Sequence, residues 1–141
     1  MFPRGIYVLV LKVPRVTLKV GSLGELEFEG WYAYVGSNQG GGRIERHLRK
    51  GKKKKWHIDY LTEVGEVMMV LTLSGGKFFE EELASHLARK FEFVRGFGSS
   101  DSSAPGHLFR FSEEIIEEIK NFAAKKEVEF SPWGGLQGRL S

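Results

Sequence analysis

Apolar positions crowd the first third of the chain in two different rhythms. Residues 5 to 13, Gly-Ile-Tyr-Val-Leu-Val-Leu-Lys-Val, form a nearly continuous apolar run, the pattern of a buried strand. Val16, Leu18 and Val20 then alternate with polar residues, as in a half-exposed strand, and Pro14-Arg15 is expected to turn the chain between the two. Leu26 and Phe28 alternate with Glu25, Glu27 and Glu29, and Trp31 to Val35 supplies a further strand after Gly30. The first quarter predicts an antiparallel meander.

Helical spacing takes over after Gly40-Gly41-Gly42. Arg43 to Lys50 places Ile44 and Leu48 four apart, which predicts a short helix ended by Gly51. Lys52 to Lys55 forms a loop of like charge, Trp56 to Val64 a second helix, and Val67 to Leu73 a strand closed by Ser74-Gly75-Gly76. The longest expected helix spans Phe79 to Phe91, because Phe79, Leu83, Ala84, Leu87, Ala88 and Phe91 share one face. Gly96 to Gly106 reads as loop and His107 to Phe111 as a short strand. Ser112 then opens a helix with Glu113 and Glu114 in its first turn and a seam of Ile115, Ile116, Ile119 and Phe122. Residues 1–126 are expected to form one domain, followed by a C-terminal tail, 127–141, that contains Pro132, Gly134, Gly135 and Gly138. The fold class expected is α/β of the α+β type, a small mainly antiparallel sheet flanked by helices.

Composition narrows the classes. A chain of 141 residues with 41% apolar content suits a single globular core. No apolar stretch approaches the roughly 20 residues of a membrane helix, and Met1-Phe2-Pro3-Arg4 leads straight into a strand pattern, so a soluble, cytoplasmic protein without a membrane partner is expected. The absence of cysteine excludes disulfides, thiolate zinc sites and cysteine nucleophiles. The net charge is only +3, yet residues 43 to 55 hold eight Lys/Arg against one Glu, leaving −4 for the remainder. A polyanion such as nucleic acid would meet one basic face, built from Arg46, Arg49, Lys50, Lys52, Lys53, Lys54 and Lys55 with Trp56 as an aromatic edge. The bland alternative is a solvated lysine loop.

Phosphodiester hydrolysis needs an activated water, positive charge beside the phosphate and stabilisation of the leaving oxygen, work often shared with a hard cation. Tyr7 and Tyr34 offer hydroxyls on strands, and Arg43 and His47, four apart, project from one edge of their helix. Of the consecutive Glu80, Glu81 and Glu82, only Glu80 lies within the apolar arc of its helix. A carboxylate so directed is costly unless paired or bound to metal, the alternative being a helix-dipole contact at the N-terminus. One carboxylate with waters and a phosphate would suit Mg²⁺. His57, Asp101 and His107 form a possible additional set; His57 and Asp59 would lie together in an extended segment and diverge on a helix. Ser99 and Ser100 have no evident base for nucleophilic catalysis.

Gly5-Ile6-Tyr7, Tyr34-Val35-Gly36, Arg43 and Glu80 together resemble, in order and element type, the GIY-YIG nuclease superfamily. That resemblance implies paired tripeptide strands, Tyr7 as general base or ligand of the attacking water, Tyr34 and His47 as assistants, Arg43 on the phosphate, and Glu80 holding one Mg²⁺ or Mn²⁺ ion. The longer spacing between the tripeptides matches an extra hairpin at residues 16 to 29.

A closer resemblance, over most of the chain, is to the DUF123 family, whose members occur alone or fused to endonuclease III-like DNA glycosylases. It is carried by residues 30–37, 43–48, 56–61, 96–101 and 107–109. Members commonly have cysteines where this chain has Glu81, Ser99, Ser102 and Ser103. The resemblances imply a metal-dependent endonuclease acting on structured or damaged DNA. The alternative is a non-catalytic nucleic-acid-binding module that assists a DNA-repair enzyme, with a repair glycosylase as partner.

Overall fold

The computed structural model describes residues 2–134. Among these residues five strands form one open, wholly antiparallel sheet: β1 (Ile6–Lys19), β2 (Glu25–Ser37), β3 (Glu66–Leu73), β4 (Leu108–Arg110) and β5 (Phe130–Gly134). Their order across the sheet is β4-β2-β1-β3-β5. Four helices cover it: α1 (Arg43–Leu48), α2 (His57–Val64), α3 (Lys77–Ala88) and α4 (Glu113–Lys126). The expected α+β class is the one observed.

Strand alternation sorts the core into two layers. From β1, Tyr7, Leu9, Leu11 and Val13 join Tyr32 and Tyr34 of β2 beneath Ile44 of α1 and Ile58 and Leu61 of α2. Ile6 and Val8, with Ala33 and Val35, pack on the opposite face against Leu83 and Leu87 of α3 and Ile115 and Ile119 of α4. Burial of β1 on both faces explains its continuous apolar run. Truncating a fully enclosed side chain such as Leu9 to alanine costs about 2–5 kcal/mol.

The meander expected over residues 5 to 35 is instead one long, bent hairpin. Val13 pairs with Gly30 and Val16 with Phe28, so Pro14 and Arg15 together oppose Glu29 in a β-bulge. The pairing with β3 has ended at Lys12, so the missing proline N–H breaks no ladder bond there. Gly30, with φ +103°, takes up the bend within β2. The actual reversal is a short 3₁₀ turn at Gly21–Leu23.

The boundary expected at residue 126 does not end the packed structure. Val128 and Phe130 pack on the α3/α4 side, β5 adds to the edge of β3, and the Trp133 indole donates to Thr72 Oγ1 at 3.0 Å. Residues 135–141 of the expected tail, with Gly135 and Gly138, lie outside the described residues. Among the described residues no helix is long and apolar enough to cross a membrane.

Candidate functional site

The two tripeptides lie side by side because β1 and β2 pair with Tyr7 opposite Gly36. That register needs glycine: a Cβ at residue 36 would fall 2.3 Å from the Tyr7 hydroxyl. Gly5 is equally constrained, with φ +134° and the Leu73 carbonyl oxygen 2.4 Å from where a Cβ would be. The glycines therefore permit the close backbone and ring packing that seats Tyr7. Its ring centroid is 6.4 Å from that of Tyr34 and 5.4 Å from that of His47.

After β2 the chain turns through Asn38, which is buried. Its side chain bonds the Pro3 carbonyl at 3.2 Å and accepts from the Arg43 N–H at 2.9 Å. Asn38 thus fixes the start of α1, from which Arg43 and His47 project. Neither periodicity nor the motifs single out this asparagine; its only sequence signal is the turn chemistry of Asn beside glycines.

Tyr7, Tyr34, Arg43, His47 and Glu80 all border one cleft of about 650 Å³. His57, Asp101 and His107 border it too, as do Lys55, Trp56 and Lys77. Arg46, Arg49, Lys50 and Lys52 to Lys54 stand outside its lining. Several of these cations are committed within the protein: Lys50 Nζ donates to the carbonyls of Thr62, Glu63 and Gly65 at the end of α2, and Lys52 Nζ to that of Arg49. Around the Trp56 ring gather Arg43, Arg46 and Lys55, at 4.5, 4.4 and 4.8 Å from its centroid.

His47 and Tyr7 are both 1% exposed, and the Tyr7 hydroxyl lies 2.6 Å from His47 Nε2. Burial pushes the Tyr7 phenol well above its ordinary range, the neighbouring Tyr34 adding to the effect and Arg43 opposing it. Tyr34 is raised for the same reason, with Glu80 contributing. His47 is pushed down to about 3 by burial, with Asp59 opposing and Arg46 reinforcing the shift. At neutral pH the pair is thus a neutral phenol against a neutral imidazole, and a free Tyr7 phenolate does not form.

Glu80, in the first turn of α3, is only 9% exposed. Burial raises its carboxyl to about 7, against the lowering pull of Lys77 and Arg43. His107 Nδ1 is 3.9 Å from Glu80 Oε2, beyond hydrogen-bond reach, and lies 3.0 Å from the Val35 carbonyl instead. Its Nε2 lies 2.7 Å from Ser102 Oγ. Burial also lowers the pKa of His107. Asp101 pairs with Lys77 at 3.3 Å on the rim. Among the described residues no group of three carboxylate or imidazole ligands converges. A single carboxylate such as Glu80 could hold only a hard, mostly hydrated ion, with water and substrate oxygens in its other positions.

His57 and Asp59 diverge, as their helical setting requires. His57 Nδ1 accepts from the Gly98 N–H at 2.8 Å and ties the 96–106 loop to α2. Asp59, fully buried, takes a bidentate pair from Arg46 at 2.7 and 2.9 Å and the N–H groups of Lys55 and Trp56 at 2.7 and 2.9 Å. Burial would raise its carboxyl, but these bonds outweigh it and hold the pKa at about 2. The anchoring role of Asp59 has one sequence trace, its place three residues beyond the helix cap at Trp56.

No curated protein and no solved structure matches the chain. A family profile described as "Domain of unknown function DUF123" matches residues 6–128, which includes β1, every helix and the whole cleft lining. With nearly the full length matched, the chain belongs to the DUF123 family.

Proposed function

We propose that the cleft is the active site of a metal-dependent endonuclease that hydrolyses phosphodiester bonds in structured or damaged DNA. The observation that carries this reading is the convergence of Tyr7, Tyr34, Arg43, His47 and Glu80 on one cleft from four separate elements. The GIY-YIG resemblance of Gly5-Ile6-Tyr7 and Tyr34-Val35-Gly36 supplies the reaction class.

Arg43 stands on the cleft wall against Trp56, where its guanidinium can fork onto two phosphate oxygens and oppose the charge that grows as the phosphorus becomes five-coordinate. Tyr7 cannot act as a free phenolate, because burial keeps its proton on at neutral pH. It acts instead as a relay. As its oxygen takes a proton from the attacking water, its own proton passes over 2.6 Å to His47 Nε2, the negative charge of Asp59 opposing the burial that disfavours the resulting imidazolium. The Tyr34 ring stands beside this pair, its centroid 6.4 Å from those of both Tyr7 and His47. Glu80 would hold Mg²⁺ or Mn²⁺, and such an ion, when bound, supplies Lewis-acid stabilisation of phosphate and leaving-group charge.

Replacing Arg43 with Ala, or Tyr7 with Phe, is expected to lower the cleavage rate on labelled flapped or branched DNA by at least about 100-fold without unfolding the protein. Retention of full cleavage by either variant would overturn the assignment. A second reading, a non-catalytic nucleic-acid-binding module that assists a repair enzyme, draws on the +7 charge of residues 43 to 55. It predicts salt-sensitive binding with no cleavage and no effect of Glu80 substitution.

A further inference from the structure

His47 Nδ1 is a buried nitrogen without a hydrogen-bond partner. Such an atom is rare in a packed interior and calls for a reason. Two contacts bear on the hydrogens around the ring. The Tyr7 oxygen is 2.6 Å from Nε2; with the hydroxyl as the donor, as the relay requires, the neutral imidazole carries its proton on Nδ1. Asp59 Oδ1 is 4.0 Å from that Nδ1, beyond hydrogen-bond reach but close enough for its charge to act on the ring, and both side chains are at most 1% exposed. The ring therefore lies between a phenol that gives it a proton and a carboxylate held nearby.

Asp59 is in turn immobilised. Arg46 grips both of its oxygens, and the Lys55 and Trp56 N–H groups both donate to Oδ2. Oδ1 is consequently the oxygen that faces His47. A carboxylate with this many charge-assisted bonds, held at a pKa of about 2, stays ionised throughout the neutral range. A cap for α2 and an ion pair for α1 account for the bonds to Arg46, Lys55 and Trp56. They do not account for a carboxylate charge facing the orphaned Nδ1.

We propose that Asp59 is the third member of a Tyr7–His47–Asp59 proton path. It is a positioning residue that acts through His47, holding the imidazole in the Nδ1–H tautomer and balancing the positive charge that forms when Nε2 takes the proton of Tyr7. This rests on the proton-relay reading of Tyr7 and His47. The role parallels a buried aspartate that orients a catalytic histidine, where the wrong tautomer removes the acceptor nitrogen.

Asp59→Asn tests it without reference to cleavage. The amide oxygen is expected to stay under the Lys55 and Trp56 N–H groups, which places the NH₂ where Oδ1 was and presents a donor to His47 Nδ1. The imidazole should then switch to the Nε2–H tautomer, which can no longer accept from Tyr7. The readout is the nitrogen-15 spectrum of the ring, recorded on the full chain with His47 assigned through His47→Gln. Expected are Nδ1–H in the wild type and Nε2–H in Asp59→Asn. Because the variant also loses an oxygen that Arg46 grips, Tyr7→Phe serves as a second test: with the phenol gone, Asp59 alone should keep His47 as Nδ1–H.

A folded Asp59→Asn that retains Nδ1–H, or a Tyr7→Phe protein that switches to Nε2–H, overturns the proposal. In cleavage, Asp59→Asn should lower kcat about 100-fold or more while KM changes by less than about threefold. A parallel rise in KM with kcat unchanged would also overturn it. A wild type that does not cleave at all would sink the nuclease reading, while the tautomer result still reports whether Asp59 governs His47.

Discussion

Glu80→Gln should make the protein more stable, and more so as the pH rises. The carboxyl has its pKa raised from 4.5 to about 7 in the folded chain, because burial disfavours its charged form. A raised acid pKa means that folding is unpenalised below the unfolded value, loses stability as pH climbs from that value to the folded one, and levels off above it. At 1.36 kcal/mol per unit the full shift sets a ceiling of roughly 3 kcal/mol, reached above pH 7. The side chain borders the open cleft, where solvent screening reduces the expected effect to about 2 kcal/mol. Glutamine keeps the size and cannot ionise. Urea denaturation of both proteins at pH 8 should give the variant the higher midpoint, by about 2 kcal/mol at equal slope, and at pH 5 the gap should shrink below about 1 kcal/mol. Titration of the other groups is common to both proteins and largely cancels in the difference. Adding Mg²⁺ at pH 8 should stabilise the wild type and leave the variant unchanged. A pH-independent difference would refute the argument that Glu80 is ionised at a cost in a buried position.

Other perturbations separate packing from binding. Gly36→Ala puts a methyl 2.3 Å from a Tyr7 ring that is buried and cannot swing aside, so a loss of about 1–3 kcal/mol is expected together with loss of cleavage; wild-type thermal stability would contradict the stated contact. Lys50→Met removes three bonds to carbonyls at the end of α2, and should cost about 1 kcal/mol of stability while leaving DNA affinity within about twofold, by urea titration and fluorescence anisotropy. Replacing Lys53, Lys54 and Lys55 together with Gln should have the converse effect: little change in stability, and a fall of about one to three in the slope of log affinity against log salt. An unchanged slope would remove this loop from the interface.

Periodicity made much of this site legible. Strand patterns put Tyr7 and Tyr34 on strands, and the helical wheel singled out Glu80 from its two neighbours, because those patterns follow directly from strand and helix geometry; the face the tyrosines share is set by the β1–β2 register. What escaped was set by long-range pairing. Pro14 looked like a turn, yet it is tolerated within β1 because β3 has already ended beside it. Phe130–Gly134 read as tail because a short edge strand with Pro132 needs only one neighbour, and it finds it in β3. Arg46 and Lys50 looked like free cations; their carboxylate and carbonyl partners come from α2 and the residues flanking it, and composition carries no trace of such pairings.

The most direct test of the central claim is cleavage of labelled single-stranded, duplex, flapped and branched DNA with Mg²⁺ or Mn²⁺, comparing the wild type with Glu80→Ala. The account predicts metal-dependent cleavage by the wild type, strongest on one or more of the non-duplex structures, and none by the variant under the same conditions. Equal cleavage by the two proteins, or salt-sensitive binding by both with no cleavage by either, would contradict it.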